Sequence, residues 1–294
     1  MEDDPLNSIK SANNETIDTH SRNDSALASL LPLLTCPECR GELTPRGAGL
    51  TCQTCSGSYE VADGIPLLAR AGSSELWGVA ADSRTSAAYQ EQFLDSSIGE
   101  RYRQRYERRW TKRCVTRREI SRIEQLLASQ PRCRRLLDIP CGGGRVSGPL
   151  AKATDLLLQA DLSLSQVLTA RQTMGSRGNI AWLTASAFLI PLKEGTVDGI
   201  LCNRLTHHLA TVEQERLIGE LLRVSKSFVI LSYYDYDSFK SRGRRLRGKN
   251  PGHTLKRSDL DAMAKRHGAS IQKDLPLWFE GSRLRYALLL KNPG

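Results

Sequence analysis

The sequence predicts an α/β chain: a doubly wound, mostly parallel sheet of seven strands ending in an antiparallel hairpin, preceded by a small module clipped by four cysteines. Three observations carry this expectation. From residue 135 onward, short apolar runs alternate with amphipathic stretches, the pattern of right-handed βαβ units. A glycine-rich turn follows the first of these runs. Two Cys-x-x-Cys pairs stand near the amino terminus, with twelve residues between them.

The 294 residues leave room for one medium domain and a small one. Hydrophobic residues make up 39% and charged residues 25%, ordinary values for a packed chain. No stretch approaches the ~18 uninterrupted apolar residues of a membrane span. The opening Met1-Glu2-Asp3-Asp4 is acidic where a secretory or transit peptide is basic, so a cytoplasmic location is expected. Residues 1–28 are rich in Ser, Asn, Asp and Thr without apolar period, and a disordered tail is expected there. The oligomeric state is not readable.

The cysteine module spans about 31–70. Cys36-Pro-Glu-Cys39 and Cys52-Gln-Thr-Cys55 have the spacing of two metal knuckles, which can set four thiolates around a tetrahedral Zn²⁺ at ~2.3 Å each. Four protein ligands leave no open coordination position, so the metal is expected to be structural. A module of ~40 residues rarely has enough core to fold unaided, and the metal supplies what is missing. The other cysteines, Cys114, Cys133, Cys141 and Cys202, follow no ligand spacing.

A linker is expected over 71–85 and an arginine-rich helical region over 86–134. There Tyr89 and Phe93, then Ile98, Tyr102, Tyr106 and Trp110, recur at four-residue steps, as on the core-facing stripe of a helix. The charge is concentrated: residues 101–122 carry nine Arg and Lys112 against two Glu, and residues 240–249 carry six cations and no acid. Each run is either a solvated face or a site for phosphates, which Arg grips bidentately.

The sheet domain is expected over 135–294. Its strands read at about 135–139, 156–160, 180–184, 197–202 and 227–232, with helices at 145–153, 163–174, 212–224 and 258–267. Two last strands, near 269–275 and 284–290, have no helix between them and are expected to pair as a hairpin. Strand one runs into Asp138-Ile-Pro-Cys141-Gly142-Gly143-Gly144, a turn that lets a ligand approach the backbone. Strand two ends in Asp161, 17 residues after Gly144, where a carboxylate can accept both hydroxyls of a ribose.

The stretch from about 135 to 232 resembles class I S-adenosylmethionine-dependent methyltransferases, which implies a Rossmann-like sheet and S-adenosyl-L-methionine as cofactor. Asp138, Gly142 and Gly144 fit the family's first motif, with Pro140 in place of its first glycine. Asp161 matches the ribose-binding acid. Ala185-Ser186-Ala187 through Pro191-Leu192 is similar to the segment whose acid contacts the adenine amino group, with Ser186 at that acid's position. Cys202-Asn203-Arg204 through Leu209 is similar to the segment passing the methionine end. The resemblance thus implies cofactor contacts at Asp138, Cys141, Gly142, Gly144, Asp161, Ser186, Ala187 and Asn203. The cysteine module, followed by Asp63-Gly64-Ile65-Pro66-Leu67-Leu68, resembles the small zinc-ribbon proteins that bind and activate methyltransferases.

His207 and His208 are candidate general bases, because a neutral imidazole titrates in the right range; the alternative is that the pair packs behind the cofactor loop. Tyr233, with Tyr234 and Tyr236, follows strand five, where substrate enters this fold. Arg244, Arg245 and Arg247 are candidate contacts to a phosphate-bearing acceptor. The Asn/Asp-Pro-Pro-Tyr/Phe motif of amide and exocyclic-amine methylation is missing, with Asn203-Arg-Leu-Thr in its place, which disfavours those acceptors. A phosphate-bearing small molecule or glycolipid precursor and RNA both remain open. A non-catalytic, cofactor-binding scaffold is the alternative function.

Overall fold

The computed structural model describes residues 27–69, 110–175, 177–250 and 252–292. The expected linker, the aromatic steps from Tyr89 to Tyr106 and all but the last two residues of the expected tail lie outside them.

Seven strands form the main sheet: β5 (Cys133–Asp138), β6 (Thr154–Asp161), β7 (Ile180–Thr184), β8 (Val197–Cys202), β9 (Ser225–Tyr234), β10 (Ala269–Pro276) and β11 (Leu284–Lys291). Their order is β10-β11-β9-β8-β5-β6-β7. The five strands from β5 to β9 pair in parallel. β11 runs antiparallel between β9 and β10, as the helix-free hairpin requires. Runs such as Ile200-Leu201-Cys202 and Phe228-Val229-Ile230-Leu231 are buried on both faces, as parallel strands covered by helices must be.

Helices α1 (Trp110–Leu127), α2 (Gly148–Ala153), α3 (Leu164–Met174), α4 (Thr211–Val224), α5 (Phe239–Leu246) and α6 (Arg257–Arg266) cover the sheet and its carboxyl edge. At the start of α4 the Glu213 carboxylate reaches back to accept the Ala210 N–H at 2.7 Å, half of a capping box. Ile123, Leu126 and Leu127 of α1 pack with Leu136, Leu150, Tyr286 and Leu288. Trp110 departs from the expected core stripe: its ring is 74% exposed. The α5 helix was not among the expected elements.

The cysteine module folds as a four-stranded meander, β1 (Leu43–Arg46), β2 (Gly49–Cys52), β3 (Ser58–Ala62) and β4 (Ile65–Pro66). It docks on the free edge of the main sheet. Leu67 forms a parallel bridge with Thr184, and Leu68 donates its N–H to the Thr184 carbonyl at 3.2 Å. At the other end of the same segment, Leu34 bridges Leu192 and Thr35 N–H donates to the Pro191 carbonyl at 2.9 Å. The stretch 185–192 is therefore held at both ends by the module. Arg40 adds an ion pair to Glu220 of α4 at 3.6 Å, while Glu220 accepts the Ile190 N–H at 2.8 Å.

Candidate active site

Parallel pairing brings the carboxyl ends of β5, β6, β7 and β8 to one edge, and the residues singled out in the sequence gather there. Gly142 and Gly144 have φ of 52° and 73°, conformations that L side chains rarely adopt. The two glycines serve different ends. A Cβ on Gly144 would lie 3.1 Å from Cα of Ala170, so its bareness lets α3 pack close; a Cβ on Gly142 would meet nothing within 4 Å, so that side of the loop is open to a ligand. Cys141 is buried, and its N–H is spent on the Ala160 carbonyl at 2.9 Å.

Asp161 ties this loop to the next strand. Its Oδ2 accepts the Gly142 N–H at 2.9 Å and its Oδ1 the Ser163 N–H at 3.0 Å. Burial outweighs those bonds and raises its pKa to about 6. Asp138 is more deeply placed. Ser147 Oγ–H donates to its Oδ2 at 2.5 Å, and burial raises its pKa to about 7. Its Oδ1 is buried without a partner within the protein, an acceptor that a bound group would satisfy. Ser186 Oγ accepts the Phe188 N–H at 3.2 Å, which leaves its proton to donate. Ala187 is buried beside it. Asn203 accepts the Tyr286 hydroxyl on Oδ1 at 3.0 Å.

A residue not singled out in the sequence joins the two ends of this arc. Glu119 of α1 is fully buried. Its Oε2 accepts from Arg145, beside the glycine loop, and its Oε1 from Arg204 Nε at 2.6 Å, beside the end of β8. Arg204 has φ of 60° and donates its backbone N–H to Ser232 Oγ at 2.7 Å.

Beyond the ends of β8 and β9, His207 stacks on Tyr234 with ring centroids 3.9 Å apart, and the Arg283 guanidinium carbon lies 4.1 Å from the same ring centroid. Two groups that close to one ring must occupy opposite faces, so the three form a sandwich. Burial, reinforced by His208 and Arg204, drops the His207 pKa to about 2; burial and His253 drop that of His208 to about 4. Both imidazoles are neutral at ordinary pH.

Tyr233 and Tyr234 differ in burial. Tyr233 is fully buried and its hydroxyl donates to Asp274 Oδ2 at 2.9 Å, with Asp274 also held by Arg285. β9 runs two residues beyond the expected strand, and alternation buries Tyr233 while Tyr234 faces His207. The candidate arginines lie on and just after α5. Arg245 stacks over Tyr236 at 3.7 Å, Arg244 donates to the Asn250 carbonyl at 2.8 Å, and Arg247 is exposed.

A sequence model of the methyltransferase domain matches residues 136–227, the span from β5 into β9. Residues 136–227 carry a methyltransferase domain. No curated protein matches the chain in sequence. Among solved structures, magnesium protoporphyrin IX methyltransferase of Synechocystis with bound S-adenosylhomocysteine is similar at a TM-score of 0.59 and 18% identity, over 70% of this chain and 99% of that one. A structure of the same Synechocystis enzyme with bound S-adenosylmethionine gives 0.56 at 18% identity, over 73% and 100%. A Leishmania major methyltransferase gives 0.54 at 13% identity, over 70% and 83%. These likenesses are likenesses of fold.

Beside the methyltransferase domain, the Sγ atoms of Cys36, Cys39, Cys52 and Cys55 all lie within 4.8 Å of one another, with none in a disulfide. Two of the separations, Cys36–Cys55 at 3.6 Å and Cys39–Cys52 at 3.4 Å, approach the sulfur–sulfur distance of about 3.8 Å in a tetrahedral zinc thiolate. The two knuckles repeat one design. Arg40 and Ser56 follow the second cysteine of each at φ of 60° and 58°, and donate back to Cys36 and Cys52 carbonyls at 2.9 and 3.1 Å. Cys36 and Cys52 N–H in turn donate to the Gly41 and Gly57 carbonyls, each at 2.8 Å. Thr54 and Cys55 N–H groups point at Cys52 Sγ from 3.4 and 3.5 Å, and the Tyr59 hydroxyl lies 3.0 Å from Cys36 Sγ, partners suited to thiolate charge.

Proposed function

We propose that the chain transfers a methyl group from S-adenosylmethionine to an anionic, amphipathic small molecule bound at the carboxyl edge. The observation that carries this reading is the His207–Tyr234–Arg283 sandwich, a wall at once flat, apolar and cationic, with Arg244, Arg245 and Arg247 beyond it. Asp161 would take the ribose hydroxyls, Ser186 and Ala187 the adenine, and Asp138, Cys141, Gly142, Gly144 and Asn203 the methionyl end. The unpartnered Asp138 Oδ1 and the open side of Gly142 support that fit. Bound S-adenosylmethionine supplies an activated methyl group; the residues of the chain align the acceptor and receive its proton.

His208 is the better candidate to receive that proton. His207, clasped by Tyr234 and with the lower pKa, serves as wall. We further infer that Cys36, Cys39, Cys52 and Cys55 hold one structural Zn²⁺, as their mutual distances support. A second reading, RNA as acceptor, rests on Trp110, whose exposed ring on basic helix α1 offers a base a surface to stack on. No observation favours a non-catalytic scaffold. Tritiated methyl transfer into fractionated small-molecule, lipid and RNA pools tests the choice. Label is expected in the small-molecule or lipid pool; label confined to RNA would overturn the first reading.

A further inference from the structure

Large apolar side chains stand in water at the carboxyl edge. Phe239 is 66% exposed, Leu246 89%, Trp278 46% and Phe279 62%. Phe239 and Leu246 are seven residues apart on α5 and so share a helix face, with Arg242 between them on the same side. Trp278 and Phe279 form the tip of the β10–β11 hairpin. The two pieces meet: Phe239 N–H donates to the Gly281 carbonyl at 3.1 Å, and the Phe239 and Phe279 rings lie 6.5 Å apart. The packing needs Gly281 bare, since a Cβ there would come within 2.6 Å of the Phe239 ring. Register fixes where the tip points. Leu284 pairs with Tyr234, so the hairpin turns over at the same end as the His207–Tyr234–Arg283 sandwich.

The α5 side of this ridge is strongly basic, while the hairpin tip carries one acid, Glu280, which is held by Arg285 at 2.8 Å. Residues 240–249 hold six cations and no acid. Among the described residues the one ion pair of this run is Arg242–Asp237, at 3.7 Å and both exposed. An amphipathic basic helix next to a protruding Trp-Phe tip has the composition of a surface that lies in the interfacial layer of a membrane.

We propose that α5 and the 277–283 hairpin tip form a docking surface for an anionic lipid membrane. Phe239, Leu246, Trp278 and Phe279 enter the interface while Lys240, Arg242, Arg247 and Lys249 meet lipid phosphates. Exposed Leu246 decides between membrane and nucleic acid: an aliphatic side chain at the centre of the cationic run has no base face to stack on, whereas an acyl layer buries it. That this edge is also where the acceptor enters rests on the function proposed above; the docking itself does not.

Flotation of the full-length chain with phosphatidylcholine vesicles, with and without phosphatidylglycerol, tests the proposal. Binding is expected only with the anionic lipid, accompanied by a blue shift in emission that Trp278→Phe abolishes. The double variant Leu246→Ala, Phe279→Ala should weaken binding by about tenfold or more. Arg247→Glu, wholly on the surface, should weaken it about fivefold or more and guards against a misfolded double variant. No binding to anionic vesicles, binding indifferent to lipid charge, or binding untouched by both variants would overturn the proposal. So would a chain that ignores vesicles yet binds total RNA through Arg247. Because flotation needs no methyl transfer, its failure is separate from failure of the enzymatic reading.

Discussion

Glu119 and Arg204 meet at 2.6 Å, Oε1 to Nε, although 85 residues separate them. The same carboxylate holds Arg145 on its other oxygen, so one buried group from the first helix fixes the glycine loop and the turn after β8 together. Glu119→Ala leaves two guanidinium groups facing each other without their counter-charge. Because both arginines are partly exposed, the loss should fall near the lower end of the range for breaking a buried pair, about 3 kcal/mol. Denaturant unfolding measures it. Glu119→Gln should lose less, and a variant as stable as the parent would show that the carboxylate ties nothing.

Asp161→Ala should weaken S-adenosylhomocysteine binding by roughly 2 kcal/mol, the usual loss for a hydrogen bond to a charged group. Calorimetry is the direct measurement. Unchanged affinity would mean that Asp161 faces no ribose.

The same carboxylates predict a pH dependence. Burial raises Asp161 to about 6 and Asp138 to about 7, so the folded chain without cofactor holds their protons at pH values where an unfolded chain has lost them. Raised acids destabilise the fold as pH climbs through 4 to 7, and they accept hydrogen bonds best once ionised. Cofactor affinity should therefore rise through pH 6–7 and level off above it. Asp161→Asn should flatten the rise; a profile level from pH 5 to 8 in the parent would contradict it.

At saturating cofactor, turnover should show no acid limb between pH 6 and 7. Burial keeps His208 neutral down to about 4, so its ionisation is finished well below that window. His208→Ala should lower kcat by about a hundredfold or more if it receives the proton. Tyr234→Ala should raise KM by removing one member of the sandwich. Parent-like kcat in His208→Ala would remove His208 from the chemistry.

Freshly purified chain should carry one zinc, measured by elemental analysis. Cys52→Ser should lose both the metal and the fold of the cysteine module. A chain without zinc, purified away from chelators, would leave the four thiols unexplained.

The sheet was legible because buried parallel strands are written as unbroken apolar runs; β7 and β8 fall at the expected residues. The turn after β5 was legible because Gly142 and Gly144 do what only glycine does easily. Glu119 was not legible: inside an arginine-rich helix one acid reads as charge balance, and its partners lie 26 and 85 residues away. The burial of Tyr233 was not legible. Strand β9 continues two residues past the expected end, and alternation along it buries Tyr233 while Tyr234 stacks on His207. Helix α5 escaped notice because its cations and Gly243 leave no buried stripe to betray a helical period; Ser241 is its buried residue.

The bridge from Leu67 to Thr184 has a consequence for behaviour in concentrated solution. The outermost strand of a sheet offers unpaired amides to any passing chain and invites end-on growth. In this molecule the cysteine module shields part of that strand, and the shield is folded around a cluster of thiols. Oxidant or chelator that undoes the cluster would therefore bare a sticky rim while the enzyme body is still folded, and turbidity at high protein concentration should precede the loss of its helical signal.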